Sequence, residues 1–235
     1  MKRRDVLRIA GLGVLALGAR GAPGADKPLK VGVVGSGRIG GTLGTIWHKA
    51  GHEVMFSSLD IEHDRRLAAQ LGGKARAGTP KEAVAFGEIV LMAVPYGALP
   101  QLGRDLAAEL KGKPVLDACN PFPSRDGEIA TWAREKGAGL ASAELLRGAR
   151  IVRAFNAIGY ARLPALAERK GPATGMPMAG EDAAAIALAS RLIRDAGLEP
   201  VLVGPLAMGR HLIPGTQLAG EHSPEEIRRI AATLK

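Results

Sequence analysis

Residues 35 to 40, Gly-Ser-Gly-Arg-Ile-Gly, carry the clearest chemical signal in the chain. They follow an apolar run, residues 29–34, and lead into apolar residues at helical spacing. A glycine-rich turn between a strand and a helix brings backbone N–H groups close to a diphosphate, and the helix N-terminus favours the negative charge. We expect Gly35 to make the tight turn, Gly37 to admit the diphosphate and Gly40 to let helix and strand pack closely. The spacing therefore predicts a dinucleotide-binding site.

The end of the second strand indicates which nicotinamide dinucleotide would fit. An acidic residue there binds the ribose 2′-OH of NAD and repels the 2′-phosphate of NADP. Ser57 and Ser58 occupy this position, and their uncharged hydroxyls can donate hydrogen bonds to a phosphate. Arg38 could face the same group, whereas Leu59 replaces the arginine common in NADP enzymes and Asp60 is close by. The sequence favours NADP and leaves NAD open.

Strands and helices alternate through the rest of the chain and would position these residues. Apolar runs predict strands at residues 29–34, 52–57, 74–77, 88–94, 114–117, 150–154, 175–179 and 200–203. Helical spacing predicts helices at residues 39–50, 60–71, 80–86, 98–110, 182–196 and 224–234. The alternation predicts an α/β fold with a Rossmann-type, doubly wound parallel sheet. We expect residues 28–172 to form the NADP-binding domain and 173–235 a small C-terminal extension completing the sheet and the acceptor pocket.

Residues 1–25 have the layout of an export signal. Paired arginines, Arg3 and Arg4, precede an eleven-residue apolar run, 9–19, which is shorter than the ~20 residues of a spanning helix. The segment 2–8 resembles a twin-arginine signal. We expect cleavage near Ala25 and an exported, periplasmic protein; the alternative is an uncleaved N-terminus on a cytoplasmic one. The twin-arginine resemblance implies transport of a protein already folded around its cofactor.

Composition argues against several other classes of protein. The net charge of +9 is concentrated partly in the opening segment and otherwise scattered, and aromatic residues make up only 3%, so we expect no nucleic-acid partner. We also expect no permanent membrane span. The single cysteine, Cys119, is predicted to be a small buried hydrophobe. His48 and His52 are four residues apart, but Gly51 interrupts the helix between them, so no metal site is expected.

Several segments, in this order, resemble the NADP oxidoreductases dependent on coenzyme F420, and are similar to the cytosolic reductase domain of the six-transmembrane metalloreductases. The resemblance covers about residues 30–213. The segments that carry it are 33–40, 50–54, 93–96, 117–121, 154–156, 179–182, 195–197 and 204–206.

The resemblance implies hydride transfer between NADPH and a deazaflavin or flavin-like acceptor, with no catalytic acid or base. It implies contacts to the diphosphate from Ser36, Gly37, Arg38 and Ile39, and to the 2′-phosphate from Ser57 and Ser58. It places Ala93, Val94 and Pro95 beside the cofactor and Asn120 and Pro121 near the nicotinamide. Leu59 and the twin-arginine start depart from the family pattern.

Some interpretations remain open from the sequence. Asn156 is either a turn former or a pocket donor, His211 a loop or pocket residue, and Met208 a core or pocket residue. A homodimer is compatible with the sequence. The alternatives to the flavin-type reaction are a reductase of another small substrate and a non-catalytic dinucleotide-binding protein of the cell envelope.

Overall fold

The computed structural model describes residues 27–234, so the predicted export signal, residues 1–25, lies outside the described residues. Eight strands form one sheet in the order β3-β2-β1-β4-β5-β6-β7-β8. The strands are β1 Lys30–Val34, β2 Glu53–Ser57, β3 Ala75–Ala77, β4 Ile89–Met92, β5 Pro114–Asp117, β6 Arg150–Arg153, β7 Gly175–Gly180 and β8 Glu199–Gly204. The predicted α/β fold class with a Rossmann-type sheet is confirmed.

The strand order places a crevice beside the carboxyl end of β1. Strands β1 to β6 are parallel, and the chain reverses its direction of travel across the sheet between β1 and β4. In open α/β sheets ligands bind at this switch point, at the carboxyl ends of the strands. Strand β7 runs antiparallel to β6, and β8 is parallel to β7, so the sheet is mixed at this end rather than wholly parallel.

Helices cover both faces of the sheet. They are α1 Arg38–Lys49, α2 Ile61–Leu71, α3 Pro80–Phe86, α4 Leu99–Asp105, α5 Ala107–Leu110, α6 Pro123–Asp126, α7 Glu128–Lys136, α8 Ala138–Leu145, α9 Leu163–Ala167, α10 Ala183–Asp195 and α11 Pro224–Ala231. One apolar layer joins α1, α9 and α10 to the sheet, and a second joins α3, α4, α5, α7 and α8 to its other face. The two layers bury the strands on both sides, which explains their continuous apolar sequences.

Two parts of the helical prediction differ from the structure. The sequence predicted one helix over residues 98–110, but the structure has a 3₁₀ turn at Tyr96–Ala98 followed by α4 and α5, with Leu106 outside the helical region at φ −108° and ψ 14°. The segments between β5 and β6 and between β6 and β7, where no helix was predicted, contain α6, α7 and α8 and then α9. Within residues 27–234, no helix is long and apolar enough to cross a bilayer.

Candidate dinucleotide-binding site

The predicted glycine-rich turn lies at the carboxyl end of β1, where the crevice opens. Gly35 adopts φ +97°, which L-residues with side chains rarely adopt. A Cβ on Gly40 would lie 2.0 Å from the Gly35 carbonyl oxygen, so α1 can approach β1 only because this position is glycine. At Gly37 a Cβ would meet nothing within 4 Å, so the space beside this residue is open. Packing therefore requires glycine at positions 35 and 40, whereas a ligand would require it at Gly37.

The N-terminus of α1 has the properties of an anion site. The first N–H groups of any helix have no partner within the helix. In α1 no side chain caps them and no acidic residue lies in the first turn, whereas Asp60 and Asp182 cap α2 and α10 with their carboxylates. The amides of Gly35 and Ser36 donate to the Ser57 carbonyl oxygen at 2.8 and 3.1 Å, which fixes the turn. The residues present fit a diphosphate placed against α1.

A cavity of about 610 Å³ extends from this turn over the carboxyl ends of β4, β5 and β6. Seven of the predicted cofactor-binding residues line it, namely Gly37, Arg38, Ile39, Ala93, Val94, Pro95 and Asn120. Asn156 also lines it, and residues 214, 215 and 219 add a wall from the C-terminal segment. The volume lies in the range of about 300–1,000 Å³ typical of small-molecule sites.

The structure directs the two serines of the predicted 2′-phosphate site towards the protein. The Ser57 hydroxyl is fully buried and donates to the Val33 carbonyl oxygen at 2.7 Å, so Ser57 does not face a ligand. The Ser58 hydroxyl lies 3.0 and 3.1 Å from the two carboxylate oxygens of Asp64. Asp64 is itself fully buried in the first turn of α2 and also accepts a hydrogen bond from the Ser36 hydroxyl.

Arg153, which the sequence analysis did not single out, lies buried beside Asn120, one of the residues that line the cavity. It is fully buried and donates to the Asp117 carboxylate at 2.7 Å from the neighbouring strand. Its other donors reach the carbonyl oxygens of Cys119, Gly209 and Leu212 at 2.7 to 3.2 Å. With the Asn120 side-chain oxygen at 3.1 Å, these acceptors take all five N–H groups of the guanidinium. Arg153 thereby ties the C-terminal segment to the ends of the central strands.

The two asparagines at the cavity differ in how far their side chains are already paired. Asn120 accepts from Arg153 at 3.1 Å and donates to the Asn156 backbone oxygen at 2.9 Å, so the residue predicted near the nicotinamide has both side-chain groups engaged. The Asn156 Nδ2 donates to the Cys119 carbonyl oxygen, but Oδ1 is buried and has no donor among the described residues. The arrangement leaves one buried acceptor, Asn156 Oδ1, at the cavity.

A strained backbone position precedes Asn156. Phe155 has φ +65°, the only positive φ outside glycine among the described residues. Packing holds it there, because its buried ring contacts Trp47 edge-on with the ring centroids 6.0 Å apart. Left-handed backbone of this kind costs a side-chain-bearing residue about 1–2 kcal/mol and tends to occur at functional sites. This conformation sets the course of the chain at Asn156 as it leaves β6.

A second carboxylate joins the loops that frame the cavity. Asp126 accepts hydrogen bonds from Arg125 and from the backbone amides of Gly97, after β4, and Phe122, after β5. Burial opposes ionisation of Asp126, but the hydrogen bonds from Arg125 and these amides outweigh it and hold the carboxyl pKa below its usual value. Arg125 also donates to the Asn120 carbonyl oxygen at 2.9 Å. The charge of Arg125 is thus fixed at the edge of the cavity.

The remaining residues considered from the sequence have structural surroundings. Cys119 is buried, as predicted, and burial raises the pKa of its thiol. His52 accepts from the Leu29 amide at 3.0 Å and pairs with Asp195 at 2.8 Å. His211 and Met208 lie in or beside a short 3₁₀ segment, Leu206–His211, after β8. Among residues 27–234 no cluster of three or more His, Cys, Asp or Glu side chains could hold a metal.

The fold and the turn together define a Rossmann-type dinucleotide-binding protein. Residues 30–121 match the model of a family described as NADP oxidoreductase, coenzyme F420-dependent. This segment runs from β1 to just beyond β5 and contains every predicted cofactor-binding residue. This match, together with the NADP-dependent reductases among the solved structures, supports an NADP-dependent oxidoreductase.

Solved structures of other proteins show the same fold. A hypothetical protein from Sinorhizobium meliloti is 23% identical, with a TM-score of 0.68 over 83% of this chain and 95% of that one. A putative F420-dependent NADP reductase from an Arthrobacter species is 20% identical, with a TM-score of 0.63 over 77% and 87% of the two chains. A reductive aminase from Aspergillus terreus, in complex with NADPH and ethyl levulinate, is 20% identical, with a TM-score of 0.53 over 77% and 56%. At these identities the similarity concerns the fold.

Proposed function

We propose that the protein transfers hydride between NADPH and a deazaflavin or flavin-like acceptor bound in the 610 Å³ cavity. The observation that carries this proposal is the chemistry of the cavity wall. Of the described residues that line it, none is Asp, Glu, His, Cys or Lys, and its ionisable side chains are Arg38, Arg125 and Tyr160. Apart from the Tyr160 phenol, whose ring lies beside Arg38, this wall offers no side chain suited to act as a general acid or base. Hydride transfer between two stacked rings needs mainly positioning and exclusion of water.

Different residues would bind the diphosphate and the nicotinamide end of the cofactor. When bound, NADPH supplies the hydride, and the acceptor takes its accompanying proton from solvent. The uncapped N-terminus of α1 would hold the diphosphate, and the open space at Gly37 would let it approach the backbone. Ala93, Val94 and Pro95 would form a flat, uncharged wall beside the dihydropyridine ring.

Asn156 would orient the nicotinamide. Its Oδ1 is a buried acceptor without a donor in the described part of the chain, and the nicotinamide carboxamide carries an NH₂ group. Leaving such an acceptor unpaired costs about 1–3 kcal/mol, which a donor on the ligand would recover. Asn120 and Arg153 would act behind it, by holding the carboxyl ends of β5 and β6 in place.

Oxidation of NADPH, followed at 340 nm with coenzyme F420 and with free flavins as acceptors, tests the proposed reaction. Turnover with one of these acceptors by the wild-type protein, and its loss in Gly37→Ala, is the expected result. Tight NADPH binding without turnover would favour the non-catalytic dinucleotide-binding protein. Turnover with small carbonyl or imine substrates alone would favour a reductase of another class, and failure to bind any dinucleotide would refute the proposal.

The proposal extends to the compartment. The paired arginines Arg3 and Arg4, the basic residue Arg8 and the short apolar run support export of the folded protein with its cofactor by the twin-arginine route. Mass spectrometry of the protein isolated from its native cell envelope would test this. A mature N-terminus near Ala25 and recovered NADP are expected, whereas an intact N-terminus in the cytoplasmic fraction would contradict export.

A further inference from the structure

We propose that the adenosine end of the site binds NAD(H) about as well as NADP(H), because the side chains that follow β2 offer the ribose 2′ position hydrogen-bond acceptors and an anion. This inference rests on the proposed dinucleotide binding. In Rossmann folds the residues after the second strand, about 20 positions beyond the glycine turn, face the ribose 2′ position. Here those residues are Ser58, Leu59 and Asp60, the last of which is twenty positions beyond Gly40.

The hydrogen atoms of the two serines are already used within the protein. A hydroxyl has one hydrogen to donate. The hydrogen of Ser57 goes to the Val33 carbonyl oxygen. For Ser58 the acceptors within reach are both oxygens of Asp64, at 3.0 and 3.1 Å, and the Asp60 carbonyl oxygen at 3.2 Å. The Ser58 oxygen also accepts a hydrogen bond from the Asp60 amide at 3.1 Å, so one lone pair remains for a ligand. That lone pair suits a ribose 2′-OH and repels phosphate oxygens.

Asp64 is the origin of this arrangement. Its carboxylate is fully buried and takes hydrogen bonds from the hydroxyls of both Ser36 and Ser58. A buried carboxylate is strongly unfavourable without such donors, so Asp64 holds both hydroxyls in this orientation. Turning Ser58 outwards to donate to a 2′-phosphate would remove one of the two hydroxyls that solvate the Asp64 charge.

The charges at the adenosine end of the site also fail to favour a 2′-phosphate. Leu59 is fully exposed and neutral where a cation would pair with a 2′-phosphate. The exposed Asp60 caps α2, and the hydrogen bond from the His63 amide, aided by Arg66, lowers the pKa of its carboxyl and keeps it ionised. Arg38 lies with its guanidinium 5.6 Å from the centre of the Tyr160 ring, on the side of the cavity.

Isothermal titration of the full chain with NADP⁺ and with NAD⁺ measures the preference directly, without any acceptor. The expected result is two dissociation constants within about tenfold of each other, which corresponds to less than about 1.4 kcal/mol. A preference for NADP⁺ greater than tenfold would overturn the inference, because the 2′-phosphate would then have found donors here. Binding of neither nucleotide would instead refute the proposed function on which the inference rests.

Substitutions at the adenosine end of the site test which residues set the preference between NAD⁺ and NADP⁺. Leu59→Arg should tighten NADP⁺ binding about tenfold and leave NAD⁺ unchanged, since only NADP⁺ carries the phosphate. Asp60→Asn removes the charge but keeps a good helix cap, and should also move the preference towards NADP⁺. Leu202→Arg adds the same charge on the exposed edge strand β8 and should leave the ratio of the two constants unaltered. An unchanged ratio in Leu59→Arg, or an equal change in Leu202→Arg, would show that these residues do not face the 2′ position.

Discussion

Two glycine-to-alanine variants separate the requirements of the fold from those of the cofactor. In Gly40→Ala the new methyl group would lie 2.0 Å from the Gly35 carbonyl oxygen and 2.9 Å from Val33 Cγ1. Neither backbone nor a buried strand side chain can easily move aside, and overpacking of this kind costs about 1–3 kcal/mol. In Gly37→Ala the methyl group meets nothing within 4 Å, and φ at this residue is −68°. We expect the free energy of unfolding of Gly37→Ala to stay within about 1 kcal/mol of wild type, since only a weak N-cap preference is lost.

The effect on binding should be the reverse for Gly37→Ala. Its methyl group would occupy the open space through which, in the proposed site, a diphosphate would reach the first amides of α1. Loss of one charge-assisted hydrogen bond costs about 1.5–3 kcal/mol, which weakens binding by a factor of ten or more. Urea unfolding followed by circular dichroism gives the stability of both variants, and titration calorimetry with NADP⁺ gives the affinity. Wild-type affinity in Gly37→Ala would refute the assignment of the turn to the diphosphate, and wild-type stability in Gly40→Ala would refute the packing argument.

Three further predictions concern the buried polar groups. Replacing Arg153 by Met should lower the free energy of unfolding by about 3–5 kcal/mol, because the fully buried Asp117 loses its charged partner; a loss below 1 kcal/mol in urea unfolding would contradict this. Burial raises the pKa of Tyr96 above its usual value, so near pH 10–11 the phenol ionises in the unfolded chain but not in the folded one. The free energy of unfolding of wild type, compared with that of Tyr96→Phe, should therefore fall by about 1 kcal/mol between pH 10 and pH 11. Parallel pH curves for the two proteins would count against it. The buried thiol of Cys119 should not react with a thiol reagent until the protein unfolds, and rapid labelling of the native protein would show that the site opens.

The sequence predicted the features of the site that depend on residues close together in the chain, and missed those that depend on tertiary contacts. The glycine spacing was enough to predict the turn, because Gly35 is required by its own φ of +97° and Gly40 by Val33 and Gly35, which are close in the chain. The directions of Ser57 and Ser58 were not predictable, because they depend on where α2 places Asp64 relative to the end of β2. Helix α8 was missed because it has apolar and small residues on every face and shows no helical periodicity.

For Asp117 and Arg153, the sequence indicates two opposite charges at strand ends but not that the two side chains meet. Each is a charged residue at the carboxyl end of its strand, and the two charges have opposite signs. That they meet depends on β5 and β6 being neighbours in register, which the structure supplies by pairing Asp117 with Arg153 across the two strands. The strained Phe155 gave no signal at all, because nothing in its residue type favours a positive φ.

Hydrogen–deuterium exchange with and without NADP⁺ tests most directly whether the turn from Gly35 to Gly40 binds the dinucleotide. A diphosphate seated on the N-terminus of α1 would engage amides there that have no side-chain cap. We predict that saturating NADP⁺ slows exchange in a peptide spanning residues 35–42, with smaller protection at residues 93–95. Unchanged exchange at 35–42 under saturating ligand, or protection confined to another surface, would contradict the account.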